Sequence, residues 1–179
     1  MALLRILVEG DPRLREKAIK IKSVDGSLRK LAADMHETMD DAPGVGLAGP
    51  QVGVMRRIIV IHVPGEYEGE DEPDVRMTLL NPEVVKAQGE VTAEEGCLSI
   101  PYWVGDVPRA EVVTVKAMDL DAKPVRFKAK GWTARVLQHE IDHLNGILFI
   151  DRVEDKSTLR RIEPAEEVKR EEDLVLEEM

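Results

Sequence analysis

A single cysteine in a chain of 179 residues excludes an intramolecular disulfide and fits a reducing compartment. Aromatic residues make up only 3%, so aliphatic side chains must fill the core. No apolar run approaches the length of a membrane-spanning helix. Arg5, Glu9 and Asp11 interrupt the stretch that a secretory signal would need to keep apolar. These absences predict a cytoplasmic protein with no membrane partner. Bases are also short: 25 against 35 acids, a net charge of −10, which argues against non-specific nucleic-acid binding and direct DNA contact. What is present, 43% hydrophobic and 34% charged residues, suits one globular domain with a sizeable core.

Residues 3–8 read as a short strand or an extended arm. A helix is predicted from Ser27 to Asp40, where Leu28, Leu31, Ala32, Met35 and Met39 recur at helical spacing, with Ser27 or Asp25 as its cap. The helix must stop before Pro43-Gly44. The segment Gly44 to Gly53 is too rich in glycine for an ordinary helix or strand, and its start is expected to form an open strand edge. Arg57 to Val63 reads as a buried strand. Glu66 to Asp74 holds six acids and no bases and reads as a solvated loop. Short strands are expected near 76–80, 83–87, 111–118 and 123–129. A second helix should run from Thr133 to Asn145 and end at Gly146 in a left-handed cap, with Ile147 to Ile150 as one more strand. Strands and helices do not alternate as in βαβ units, so the fold class is α+β. The tail from Glu154 carries ten acids and five bases, half the net charge. This gives residues 1–153 as the main domain and 154–179 as a charged tail, either helical with a break at Pro164 or frayed.

The chemistry centres on Gln138-His139-Glu140-Ile141-Asp142-His143, a HExxH pattern on the second helix. Histidines four residues apart lie on one helical face, so both imidazoles can reach one metal ion while Glu140 reaches a water beside it. A catalytic site of this type needs a third protein ligand. Downstream, Glu163 lies where a glutamate-type endopeptidase would supply it. Upstream, Cys97 in Glu95-Gly96-Cys97-Leu98-Ser99 offers a thiolate. Structural readings stand beside these: His139 and His143 as an accidental pair, Cys97 as a small core residue, the glycine-rich loop as a phosphate cradle, although it lacks the Lys-Ser/Thr ending. His36 and His62 read as structural. A metal-binding or interaction protein without catalysis is a further alternative, but it would have little use for Glu140.

Three stretches match one family in order. Gly44-x-Gly46-Leu47-Ala48-Gly49-Pro50-Gln51, Glu95-Gly96-Cys97-Leu98-Ser99 and Gln138-His139-Glu140-x-Asp142-His143 resemble the signature motifs of bacterial peptide deformylases. The likeness extends through Arg57-Ile58-Ile59-Val60-Ile61, Asn81-Pro82, Ile100-Pro101 and Val107-Pro108-Arg109, over roughly residues 5–152. It implies a central HExxH helix surrounded by antiparallel sheets, and removal of the formyl group from N-formylmethionine on newly made polypeptides. It also implies one divalent metal per chain, commonly Fe²⁺, with Zn²⁺, Ni²⁺ or Co²⁺ as substitutes, on Cys97, His139 and His143.

By the same resemblance the Gln51 side-chain amide and the Leu98 backbone N–H face the developing oxyanion, and Glu140 is the general base and acid. The substrate-binding set is Val45, Gly46, Glu95, Trp132 and Val136. Val45 and Gly46 would dock the peptide as a strand, while helical spacing puts Trp132 and Val136 on the side of His139 and His143, as walls of a methionine pocket. Arg109 is expected to pair with Glu95 and steady the cysteine loop. The partners are nascent N-formylmethionyl chains and, in some members, the ribosome through a basic C-terminal helix, a contact the acidic tail argues against. Most relatives carry alanine where this chain has Gly49. That difference is expected to alter loop stiffness more than chemistry.

Overall fold

The computed structural model describes residues 2–162. The first helix, α1 (Gly26–Asp41), is capped by the Asp25 side chain, which accepts from the Leu28 N–H. Its buried stripe of Leu28, Ala32, Met35 and Met39 packs with Leu47, Ile58, Val60 and Leu80. Residues 3–8 form an extended arm rather than a strand, and Pro12–Arg15 a 3-10 turn after it. Leu7 N–H donates to Gln51 O and Glu9 N–H to Ser99 O, so the arm runs beside two of the motif segments.

Two antiparallel sheets follow. The larger has the order β1-β2-β3-β6-β7, with β1 (Gly46–Ala48), β2 (Ile58–Val63), β3 (Val75–Gln88), β6 (Val112–Met118) and β7 (Pro124–Lys130). The smaller has the order β4-β5-β8, with β4 (Val91–Cys97), β5 (Ile100–Arg109) and β8 (Arg160–Arg161). Helix α2 (Gly131–Leu144) lies between them. Its Ala134, Leu137, Ile141 and Leu144 join Ile59, Ile61, Leu79, Val113 and Val115 in one core cluster. A short helix, α3 (Phe149–Arg152), buries Phe149 beside Ile100 and Val107 of β5. The α+β class and the central HExxH helix are as expected. Among the described residues no helix is long and apolar enough to cross a membrane.

Several local expectations differ from the structure. The strands expected at 76–80 and 83–87 are one strand, β3. Asn81-Pro82 looks like a break, but the register shifts between Leu80 and Glu83, and proline is tolerated at such a bulge. Strands β4 and β5 escaped prediction. Their residues alternate poorly between apolar and polar, and most are at least partly exposed. Gly44 to Gly53 is more ordered than expected: β1 pairs with β2, and Gly49–Val52 forms a 3-10 turn. Ile147 to Ile150 is not a strand, because Phe149 and Val153 must both turn inward, and Asp151 caps the turn by accepting from Leu148 N–H. The Glu66–Asp74 loop is not wholly solvated, since Glu68 caps α2. Residues 154–162 reach back to the second sheet, where β8 pairs with β5. Glu163 and Pro164 lie outside the described residues.

Candidate metal centre

The second half of α2 carries His139, Glu140 and His143, and the join between β4 and β5 carries Cys97. That join is irregular: Gly96 pairs with Val104, but Cys97 pairs with Ile100, so Pro101, Tyr102 and Trp103 bulge outward. The bulge turns Cys97 toward α2. Its Sγ lies 3.3 Å from His143 Nε2, which lies 3.3 Å from His139 Nε2. The three donor atoms all fall within 4.8 Å of one another. One sulfur and two imidazole nitrogens facing a common point match the donor chemistry of a Zn²⁺ or Fe²⁺ site.

The surroundings fix these donors in place. His139 meets Glu95 Oε2 through Nδ1 at 3.0 Å, which leaves Nε2 to face Cys97 and His143. Glu95 in turn accepts from Arg109 Nε at 2.9 Å, Arg109 Nη2 at 3.0 Å and Arg135 Nη1 at 2.9 Å. Arg109 continues to Asp142, which also accepts from Arg152 Nη2 at 2.9 Å. Burial alone would push the Glu95 carboxyl up, but hydrogen bonds from His139 and Arg109 outweigh it and hold it at about 2. A carboxylate behind a histidine, itself anchored, is the arrangement that orients metal-binding imidazoles. His139 also stacks on Phe149 with ring centroids 6.4 Å apart. Burial first, and then the neighbouring His139, lower His143 well below the ordinary histidine range.

Glu140 is buried beside this cluster, and its Oε2 has no hydrogen-bond partner among the described residues. Burial raises its carboxyl to about 7, the range in which a general base both accepts and returns a proton near neutral pH. Room for the carboxylate comes from β1. A Cβ on Gly46 would run into Glu140 Oε1, so that glycine is required by close packing. Gly49 is equally constrained. A Cβ there would sit 2.6 Å from Arg56 O and 2.7 Å from Val54 O, so in this chain the glycine admits two backbone carbonyls and is more than a change in loop stiffness.

The other expected residues gather around the same point. Gln51 is buried on the 3-10 turn after β1; its Oε1 accepts from Ala48 N–H, and its Nε2 points at Ser99 Oγ (3.1 Å) and Cys97 Sγ (3.6 Å). Leu98 follows Cys97 directly, with its side chain filling the space beside Gly44. A cleft of about 940 Å³ opens over them, lined by Val45, Gly46, Gln51, Trp132, Val136 and Glu140 among others. Strand β1 is the last strand of its sheet and forms one rim of this cleft. Glu95, expected among the substrate contacts, lies at the cleft wall, but both its oxygens are taken by Arg109, Arg135 and His139. Its geometry is that of a support for His139. Arg135, Asp142 and Arg152 were not anticipated. The available signal was charge on the buried face of α2, where Arg135 stands one turn before His139. His36 contacts Thr78, and His62 lies between Asp74 and Arg76, both away from the centre.

The family model for polypeptide deformylase matches residues 3–158. A peptide deformylase of Thermomicrobium roseum is 59% identical over 167 residues, covering 93% of this chain and 95% of that protein. The crystal structure of a peptide deformylase from Legionella pneumophila superposes with a TM-score of 0.78 at 46% identity, covering 86% of this chain and 88% of that one. A Met-Ala-Ser-bound class I type b peptide deformylase from Acinetobacter baumannii gives a TM-score of 0.79 at 37% identity, over 85% of this chain and 99% of that one.

Proposed function

The chain belongs to the polypeptide deformylase family, an enzyme family that removes the N-formyl group from newly synthesised polypeptides, and from that premise we propose how its own residues perform the reaction. The observation that carries the assignment is the meeting of Cys97 with His139 and His143 beside the Glu140 carboxylate, whose Oε2 has no hydrogen-bond partner among the described residues. Cys97, His139 and His143 hold the divalent ion. When bound there, it supplies Lewis-acid polarisation and a water of lowered pKa.

Glu140 accepts the proton of the attacking water and delivers it to the departing amide nitrogen. Gln51 Nε2 and the Leu98 N–H donate to the carbonyl oxygen as charge develops on it; one such donor typically contributes about 10²–10³ in rate. The outer edge of β1 at Val45 and Gly46 pairs with the peptide backbone, which gives affinity with little dependence on sequence. Val136 and Trp132 receive the first side chain, and a long flexible apolar chain such as methionine suits that wall. The peptide Met-Ala-Ser in the Acinetobacter structure supports reading the cleft as a peptide site. The partner is the nascent chain in the cytoplasm. The excess of acid in the sequence after Glu154 gives no support to a basic tail contact with the ribosome.

The substrate reading is tested on matched formyl-Met, acetyl-Met and formyl-Ala tripeptides, with an unblocked internal peptide as control. The formyl carbon bears only hydrogen, whereas an acetyl methyl must fit between Glu140, Gln51 and Leu98. We expect kcat/KM to fall by roughly two orders of magnitude or more from formyl to acetyl. Comparable rates on both, or cleavage of the internal control, would point to a broader amidase or an endopeptidase.

For the ion we propose Fe²⁺. A thiolate-ligated ferrous site is oxidised by O₂, and Cys97 can itself climb the sulfur oxidation ladder. The iron-loaded enzyme is therefore expected to lose activity in air within a preparation that stays active when loaded with Ni²⁺, with sulfinic Cys97 detectable by mass spectrometry in the iron form alone. Equal lifetimes of the two forms in air would count against iron as the native ion.

A further inference from the structure

We propose that Glu68 and Tyr67, on the connection between β2 and β3, are positioning residues that set the far wall of the cleft and thereby its selectivity for the substrate's first side chain. The proposal rests on the deformylase reading above. Helix α2 has no side-chain cap of its own, because Lys130 at its N-cap makes no such bond. Instead Glu68 Oε1 accepts from Thr133 N–H at 2.6 Å and Oε2 from Trp132 N–H at 3.2 Å. One carboxylate from a distant loop thus pairs two otherwise orphaned donors at the positive end of the helix. Gly131 admits it. Its φ is +59°, and a Cβ there would collide with Glu68 Oε2.

The clamp has a second effect, on the cleft. Tyr67, adjacent to Glu68, meets Trp132 with ring centroids 6.4 Å apart and planes at 58°. Arg135 lies 6.0 Å from the same Trp132 ring. Trp132 therefore has both Tyr67 and Arg135 as neighbours, and all three line the cleft. Tyr67 is 50% exposed and Trp132 39%, in a chain with only six aromatic residues in which Phe149 is buried in the core. Exposed rings paired at the wall of a cleft mark a contact surface for a ligand. Along α2, Trp132 precedes His139 by two turns, about 10 Å. The two positions lie on one helical face, so a side chain that leaves a formyl group held at the His139 end runs along the cleft toward the ring pair, and methionine extends further in that direction than alanine.

A cap that served helix stability alone would not alter which substrate is preferred. The test uses the full-length, metal-loaded protein with formyl-Met-Ala-Ser and formyl-Ala-Ala-Ser, in the parent, Glu68→Ala, Glu68→Gln and Tyr67→Ala. In Glu68→Ala and Tyr67→Ala the Met-over-Ala ratio of kcat/KM should fall by roughly tenfold, the scale of a few lost apolar contacts. The loss should fall on KM for the methionine peptide and not on kcat, with bound metal unchanged. Glu68→Gln keeps an oxygen acceptor for the helix and should lie between the parent and Glu68→Ala. Tyr67→Ala leaves the cap in place, so its result does not depend on the fold surviving loss of the clamp. An unchanged Met-over-Ala ratio in both alanine variants, with a lower Tm in Glu68→Ala, overturns the proposal and leaves Glu68 as a cap alone. A parent inactive on both peptides overturns the deformylase reading instead.

Discussion

Glu140→Ala is expected to bind its metal as the parent does and to lose about 10²–10⁴ in kcat, the range for removal of a general acid–base group. The proposed ligand atoms belong to Cys97, His139 and His143, none of which hydrogen-bonds Glu140. The carboxylate stands in a space opened by Gly46, with one oxygen unpartnered among the described residues. A buried carboxyl held to about 7 chiefly by desolvation contributes no stability as an anion at neutral pH. Folding should therefore survive its removal, and the Tm should not fall by more than a small cavity explains. The measurement is metal per chain by elemental analysis together with kcat on a formyl-Met peptide. Loss of metal alongside activity would make Glu140 a ligand or a folding residue.

Both helices were legible because their signals are local. The spacing of Leu28, Ala32, Met35 and Met39 gave α1 to within a residue, Asp25 is the one of the two candidate caps that serves it, and Gly146, with φ of 73°, marks the end of α2. The meeting of Cys97, His139 and His143 was legible because the family resemblance supplies what spacing cannot, namely that a cysteine 42 residues before His139 folds onto the HExxH helix (139 − 97). The support of the site was less legible. Arg135 and Asp142 look like ordinary charges on a helix until β4 and β5 bury them. Those strands are held by pairing with each other in a hairpin, and at one end by β8, not by an apolar–polar pattern of their own. The Cys97 turn depends on a bulge of three residues that no propensity announces. Glu68 was the largest misreading. In a run of six acids nothing marks the one that reaches a helix end 64 residues later; only the left-handed Gly131 hints at a close approach.

Cys97→Ala should remove most of the bound metal, and the activity with it. Two imidazoles remain on α2, and a pair of neutral donors holds a divalent ion weakly. Loss of an outer partner of a ligand already costs about 10–100-fold in affinity, so loss of a ligand should exceed about a hundredfold. The fold should tolerate the change. Cys97 is only partly buried, and the β4–β5 pairing around it is made by backbone groups. Cys97→Asp separates the ligand role from packing. A carboxylate oxygen restores a third donor with the same formal charge as a thiolate, but a harder one. That variant should recover part of the metal binding, with its preference moved away from soft-ligand ions, while Cys97→Ser, a neutral oxygen, recovers less. Equilibrium dialysis against Zn²⁺ and Ni²⁺ reads all three without reference to activity. Stoichiometric metal at parental affinity in Cys97→Ala would overturn the ligand set and turn attention to Glu163, the downstream acid whose place lies outside the described residues.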